Sequence, residues 1–342
     1  MSTENASQLD LASPVDNASY ARKGIGAFIN KERRSLSSLV VFIVLMLVFV
    51  VANPQVFLNP LAYRAVFTAL PISIIMAVPL VFVVTSGEID LSFGSVMGLA
   101  GYAFAVFVVD AGNSPWLGLL LALAVGGGAG LLNGIIVTRI GLSSLVATLG
   151  MSFLLRGIVY MFTEGMNISL VGQKGTLFYN ALVGNLGFLP VQMIWAIVFG
   201  VFSAFVFNYH KFGAHVHCVG DNENSAREMG INVQKTRTLT FVYVGIAAGF
   251  AGVTASLLNN TYYPTSGEGL LLPVLAAVFV GGTPTWGGVG TVVGAIIGAF
   301  IIGFIETGVI AAGLTGYYTR FFYGLIIILA LIGHKFNQPR YR

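Results

Sequence analysis

The sequence is poor in charged residues and has a single cysteine. Charged residues make up 9% of the 342 residues, whereas a soluble domain usually carries about a quarter. The chain therefore has too little polar surface to face water on all sides, which excludes an ordinary soluble domain. Its one cysteine, Cys218, excludes a disulfide framework and a site built from several thiolates.

The motifs of common enzymes and nucleotide-binding proteins are also missing. The sequence has no Gly-x-x-x-x-Gly-Lys-[Ser/Thr] phosphate loop, no His-Glu-x-x-His zinc motif and no Gly-x-Ser-x-Gly nucleophile turn. Its basic residues form no cluster with interleaved aromatics, which argues against a nucleic acid partner. We therefore expect no catalytic residues, no cofactor and no resident metal, and a chain that is not itself an enzyme.

Apolar residues dominate instead, at 56% of the chain, with a mean hydropathy of +0.86. A helix needs about 20 apolar residues to cross a bilayer, so the length allows roughly ten crossings surrounded by lipid. The 43 glycines suit the close packing of such helices. The sequence predicts an all-α polytopic membrane protein with about ten transmembrane helices. The predicted spans are 36–52, 64–84, 93–110, 115–138, 143–163, 190–207, 239–258, 270–283, 289–311 and 318–334.

The distribution of basic residues predicts the orientation. With the N-terminus inside, all but four of the 17 lysines and arginines lie in cytoplasmic segments. Both termini are therefore expected in the cytoplasm, and ten crossings satisfy this. We expect a disordered cytoplasmic tail at 1–35, a membrane domain at 36–334 with a long cytoplasmic loop at 208–238, and a cytoplasmic tail at 335–342.

A polar segment, residues 86–92 (SGEIDLS), separates two apolar spans. Carboxylates are costly there unless their charge is used, and Asp90 or Ser92 can cap the following helix. The segment predicts a broken helix near 85–92, which is either a cap in a turn or part of a solute path. Polarity and helical spacing give these candidates for lining the path: Ser86, Glu88, Asp90, Asn133, Ser144, Thr148, Ser152 and Glu306.

Two isolated charges, Arg156 and Glu306, lie within apolar spans. Pairing them, or hydrating them in a cavity, would reduce the cost of burying them in the bilayer. A structural ion pair and a contact with a solute or gate both remain open. Glu306, with Glu88 or Asp90, is also the candidate for the carboxylate relay of an ion-coupled secondary transporter, the alternative function.

The loop at 208–238 contains the signals of a short helix. Asn222 or Asn224 can cap it, and Gly230 is the expected stop signal. Such a helix in the cytosol suggests a partner that binds it. Nearby, the group of His210, His215, His217 and Cys218 resembles a metal site in composition only. Its alternation predicts an extended segment, and we expect no metal there.

Three motifs, in this order, resemble the ribose-type permeases of bacterial ATP-binding-cassette sugar importers. They are TSGEIDLSFGSVMG at 85–98, GDNENSAREMGINV at 220–233 and the glycine-rich stretch at 281–291. The resemblance extends over nearly all of 36–334. It implies a permease subunit in the bacterial inner membrane that translocates a monosaccharide or polyol.

The resemblance also implies partners. These are a second permease copy or a similar permease, a cytoplasmic ABC ATPase dimer that hydrolyses the ATP, and a periplasmic solute-binding protein. The 220–233 segment is then the coupling helix on the ATPase, through Asn222, Ala226, Gly230 and Ile231. Because binding proteins often present acidic residues, the outer basic residues Arg64 and Arg320 are candidates for docking.

Overall fold

The computed structural model describes residues 33–336. The tail predicted at 1–35 lies outside the described residues, except that residues 33–35 begin the first helix. The tail predicted at 335–342 lies outside them from residue 337 onward, and residues 335 and 336 end the last helix.

Helices account for most of the described chain. They are α1 (Arg33–Ala52), α2 (Pro54–Phe57), α3 (Pro60–Thr85), α4 (Phe93–Ala105), α5 (Pro115–Ile135), α6 (Ser144–Thr163), α7 (Leu177–Val183), α8 (Val191–Tyr209), α9 (Lys211–Asp221), α10 (Glu223–Glu228), α11 (Val233–Leu258), α12 (Leu271–Val280), α13 (Val292–Ala311) and α14 (Tyr317–Phe336). A π-helical turn extends α4 through Val106–Asp110 and α5 through Ile136–Ile140.

Each of the ten predicted spans coincides with an apolar helix of the structure. Eight helices of the described part are long and apolar enough to cross a bilayer, and two shorter apolar helices, Leu36–Ala52 within α1 and Leu271–Val280, lie at the other two predicted spans. The prediction of an all-α polytopic membrane protein is confirmed. Helix α12 has 10 residues, so it rises about 15 Å and reaches through only half of the hydrocarbon core.

Helices α3 and α11 form the centre of the bundle. In the apolar windows of these 26-residue helices, 72% and 78% of the residues are buried, because apolar residues occupy every side of the helix within these windows. A Cβ atom added at Gly126 of α5 would collide with the carbonyl oxygen of Gly245 in α11. Glycine at both positions lets the two backbones touch, the small-residue packing expected in lipid.

Short strands connect the helices on the outer side. Strand β1 (Ile168–Ser169) pairs with β4 (Thr261–Tyr262), and β2 (Asn185–Leu186) pairs with β3 (Leu189–Pro190), both antiparallel. The buried Tyr262 donates a hydrogen bond from its hydroxyl to the Gly98 carbonyl, at 3.0 Å. This bond ties the outer connection at 259–270 to α4.

The extended segment predicted around His215 is wrong, because this stretch forms α9. His210 caps the helix by accepting the Phe212 N–H at its Nδ1, 3.1 Å away. Helical spacing then buries Val216 and Val219 on one face. His215, His217 and Cys218 therefore lie on a helix, and His217 Nδ1 is 3.0 Å from the Gly288 carbonyl.

Candidate solute path and coupling region

The predicted break in the helix is present. Residues 86–92, called the strap below, leave α3 at its cytoplasmic end and run without regular structure to the start of α4 at Phe93. Gly87 allows the turn, because its φ of +88° is left-handed. The membrane span that contains α4 therefore begins only after the strap, at Phe93.

One face of α6 holds the strap. The N–H of Ile89 donates to Ser144 Oγ at 3.1 Å, and the N–H of Leu91 donates to Thr148 Oγ1 at 3.0 Å. Ser152 Oγ lies 3.1 Å from the hydroxyl of Ser95 in α4. The three α6 residues are four apart, so they share a face and span about 12 Å of the helix. The strap therefore rises along α6, and α4 begins inside the membrane.

A buried polar network lies at the N-terminus of α4. Asp90 is 1% exposed and accepts hydrogen bonds from the N–H and the hydroxyl of Ser92, both at 2.7 Å. Asn133 Nδ2 donates to Ser92 Oγ at 2.7 Å. Asn133 Oδ1 is buried and has no hydrogen-bond partner among the described residues. Asp90 lies where the helix dipole favours an anion, while Ser92 turns its hydroxyl to Asp90 and forms no side-chain cap bond.

The outer connection at 259–270 reaches in to meet α4. A Cβ atom added at Gly94 would lie 2.6 Å from the Gly267 carbonyl oxygen, so the two backbones touch. Helix α12 starts immediately after this connection, at Leu271. The contact between Gly94 and Gly267 is called the crossing point below. The N-termini of α4 and α12 both lie close to it. Interrupted helices of this kind line transport pathways in other membrane proteins.

Arg156 secures the crossing point. Its guanidinium donates to the carbonyl oxygens of Pro264, Ser266 (2.9 Å) and Gly94 (3.2 Å), and its Nε is 3.5 Å from Glu268 Oε1. Arg156 therefore pairs with Glu268 and not with Glu306, the partner that we considered from the sequence.

Glu306 lies elsewhere, on α13 near the outer side. Its Oε2 accepts a hydrogen bond from the Tyr323 hydroxyl at 3.0 Å. Glu306 and Arg320 both line a cavity of about 410 Å³, so the structure brings together one predicted path residue and one predicted docking residue. Arg64 is exposed in the first turns of α3 and does not line this cavity.

The short cytoplasmic helix predicted between Asn222 and Gly230 is confirmed as α10. Asn222 Oδ1 accepts the Ser225 N–H at 3.0 Å, and Gly230 ends the segment with a φ of +78°. Ala226 is buried against a small apolar cluster that Ile231 also contacts. Met229, which we did not select from the sequence, is 68% exposed.

Ion pairs connect α10 to the rest of the protein. Glu223 Oε1 is 2.7 Å from Arg227 Nη2, and Glu223 Oε2 is 2.8 Å from Arg237 Nη1. Arg237 Nε is in turn 3.1 Å from Glu88 Oε1. The hydrogen bond from Arg227 and the charge of Arg237 lower the pKa of Glu223, against the opposing effect of burial. The structure thus joins Glu88, a predicted path residue, to α10 through Arg237.

The three motifs that are separate in the sequence meet at one place. The N–H of Gly288 donates to the Thr85 carbonyl at 2.8 Å. A Cβ atom added at Gly220 would collide with the same carbonyl oxygen. The ends of α3 and α9 and the glycine-rich stretch at 281–291 therefore make direct backbone contact, just below the strap.

The chain is similar to known permease components along most of its length. The family described as "Branched-chain amino acid transport system / permease component" matches residues 63–331. The ribose import permease protein RbsC of Escherichia coli (strain K12) is 31% identical over 86% of this chain and 92% of its own. The L-arabinose ABC transporter permease protein AraH of Azospirillum brasilense is 28% identical over 98% of both chains. The autoinducer 2 import system permease protein LsrC of Enterobacter sp. (strain 638) is 32% identical over 88% of this chain and 86% of its own. No solved structure gives a significant match.

Proposed function

The chain belongs to the branched-chain amino acid transport system permease component family, and from this membership we propose that it is the permease subunit of an ATP-driven sugar importer. It lies in the inner membrane as a multi-pass protein. The observation that carries the proposal is similarity along almost the whole chain to a ribose import permease. The same similarity favours an importer over an ion-coupled secondary transporter.

The solute class is a small hydroxylated molecule, a monosaccharide or polyol. The names of the relatives refer to ribose, L-arabinose and autoinducer 2. Buried polar groups where the strap meets the N-terminus of α4 support this class. Asn133 contributes a buried carbonyl oxygen that lacks a partner in the described structure, and a solute hydroxyl would satisfy it when the path opens.

Not every candidate for the path has its polar atoms available. The hydroxyls of Ser144 and Thr148 already accept strap N–H groups, and Ser86 Oγ donates to the Val83 carbonyl at 2.7 Å. We therefore assign these three residues to holding the strap in position. Ser152 and Asp90 are bonded to Ser95 and Ser92, so Asn133, whose carbonyl oxygen has no partner in the described structure, is the candidate best able to bind the solute.

The ATPase dimer is proposed to bind at α10. Asn222 and Gly230 define the ends of this helix, while Ala226 and Ile231 fix it to the permease. The exposed Met229 then supplies an apolar contact for the ATPase surface. ATP hydrolysis belongs to that partner, and its closure would move α10 and alternate the access of the path. A second permease copy or a similar permease completes the assembly.

The first experiment is gentle solubilisation of the tagged chain from its native membrane, with mass spectrometry of the proteins that co-purify. We expect an ABC ATPase in the wild-type sample and its loss from Met229→Arg. Val171→Arg, at an exposed residue of the outer loop, is the matched control and should retain the ATPase. A chain that purifies alone and moves solute in vesicles without ATP would contradict the proposal.

The periplasmic binding protein is proposed to dock near Arg64 and Arg320. Both are exposed, and neither forms an ion pair with any residue in the described range. Charges at the rim of an interface act mainly on the association rate and its salt dependence. Reversing both charges should therefore slow association severalfold at low salt, and unchanged association would contradict this docking site.

A further inference from the structure

One guanidinium group joins α10 to the strap. Arg237 lies in the second turn of α11, with Nη1 2.8 Å from Glu223 of α10 and Nε 3.1 Å from Glu88 of the strap. Its Nε is also 3.3 Å from the Ser86 carbonyl oxygen. Arg237 is thus bonded at the same time to the helix proposed to bind the ATPase and to the segment proposed to flank the path.

The chemistry of arginine suits this bridge. Its planar guanidinium presents five donors in a rigid fork, so it binds two carboxylates in fixed relative positions. The side chains of Arg237 and Glu88 are only 19% and 13% exposed, so solvent and salt screen this pair less than a surface ion pair. Arg227 differs, because it binds Glu223 within the same helix and is 54% exposed.

Free space adjoins the bridge. A cavity of about 300 Å³ lies between α10, the strap and the turn that joins α5 to α6. Both carboxylates and both arginines line it, together with Gln234. Closely packed interiors resist displacement, whereas this space allows α10 and the strap to shift together while the bonds of Arg237 are kept.

We propose that Arg237 is a positioning residue that transmits the movement of α10 to the strap. Displacement of α10 moves Glu223, Arg237 carries that shift to Glu88, and the strap changes its hydrogen bonds with Ser144 and Thr148. This inference rests on the proposed function, since it requires an ATPase that displaces α10. It assigns to Glu88 a role in transmission in place of a contact with solute.

The test measures hydrogen exchange in the complete importer, without and with ATP and orthovanadate to trap the ATPase. In the wild type we expect trapping to change the exchange rates of α10 and of the Ile89 and Leu91 amides, each by about tenfold. Arg237→Gln should keep the change in α10 and reduce the change in the strap to less than about twofold. Arg237→Lys should be intermediate, because it keeps the charge and loses the fork.

Arg227→Gln is the matched control, and it should leave both changes as in the wild type. If Arg237→Gln does not assemble, Glu88→Gln replaces it, because that variant weakens only the link to the strap. A full strap response in an assembled Arg237→Gln or Glu88→Gln importer would overturn the proposal. Absence of any trapping effect on wild-type α10 would instead overturn the proposed function.

Discussion

Two arginines lie at the two places where the chain interrupts its membrane crossings, and they are bonded differently. Arg156, at the outer connection, donates mainly to backbone carbonyls of residues 94, 264 and 266. Arg237, at the strap, pairs with the carboxylates of Glu88 and Glu223. Carbonyl acceptors are fixed to the backbone, whereas carboxylates lie on side chains that can move and titrate. The outer junction is thus fixed by backbone carbonyls, and it is called the lock below. The cytoplasmic junction is held by side chains that can move, and it is called the linkage below.

The most severe test of the lock is at Gly267, where a methyl group meets two obstacles. Its φ is +84°, and an added Cβ would collide with the Gly94 carbonyl oxygen. Left-handed strain and overpacking together predict that Gly267→Ala destabilises the protein by about 3–5 kcal/mol. We expect loss of monodisperse protein in size-exclusion chromatography after solubilisation.

Gly269→Ala separates the two causes. Gly269 has a similar φ of +82°, but a Cβ atom there would meet nothing within 4 Å. Strain alone predicts a loss of about 1 kcal/mol and a protein that still elutes as a single peak. Equal behaviour of the two variants would show that the contact between residues 94 and 267 contributes nothing.

Arg156→Leu is the next largest effect. It removes the guanidinium donor from three carbonyl groups, and a buried group without its partner costs about 1–3 kcal/mol. We expect a lower melting temperature and faster proteolysis of the connection at 259–270. Variants of Arg237 are expected mainly to weaken the transmission of movement from α10 to the strap. The main effect of Arg156→Leu should instead be a loss of stability.

Glu268→Gln is the control for that substitution. It removes the charge from the half-exposed partner of Arg156, yet the amide oxygen still accepts the Tyr160 hydroxyl bond. An exposed ion pair is worth about 0–1 kcal/mol, so the melting temperature should change little. A loss as large as that of Arg156→Leu would assign the strength of the lock to the ion pair and not to the carbonyls.

The parts of this fold that depend on local sequence were predictable. Apolar runs predicted the positions of the ten apolar helices, and the polar residues 86–92 predicted the break. Asn222 and Gly230 marked the ends of α10 because capping and stop signals act on the neighbouring backbone. The extended segment predicted at α9 was wrong, because the capping by His210 and the burial of Val216 outweighed an alternation of polar residues.

The bonds between distant segments were not predictable from one sequence. From the sequence, Arg237 served only as one of the basic residues that predict the membrane orientation. Nothing local connects it with Glu88, which lies 149 positions earlier in the chain. Arg156 pairs with Glu268 and not with Glu306 for the same reason. The meeting of Thr85, Gly220 and Gly288 likewise depends on how α3, α9 and α13 pack.

The smallest predicted effect distinguishes the two junctions by pH. The hydrogen bond from Arg227, with the charge of Arg237, lowers the pKa of Glu223 below its ordinary value of 4.5. Its contribution to the stability of α10 is therefore complete above that value and is lost as the pH falls through the lowered pKa. Protection factors of the α10 amides should therefore decrease as the pH falls below 4.5.

The carbonyl acceptors of Arg156 do not titrate, so the amides of residues 264–267 should keep most of their protection over the same range. Glu223→Gln is the control, because it should remove the pH dependence of α10 while leaving its helix cap at Asn222 intact. If the amides at both junctions lose their protection from exchange in parallel, the proposed distinction between a carbonyl-bound lock and a carboxylate-bound linkage is wrong. If only α10 responds, the cytoplasmic junction is the one whose bonds are adjustable, as transmission through Arg237 requires.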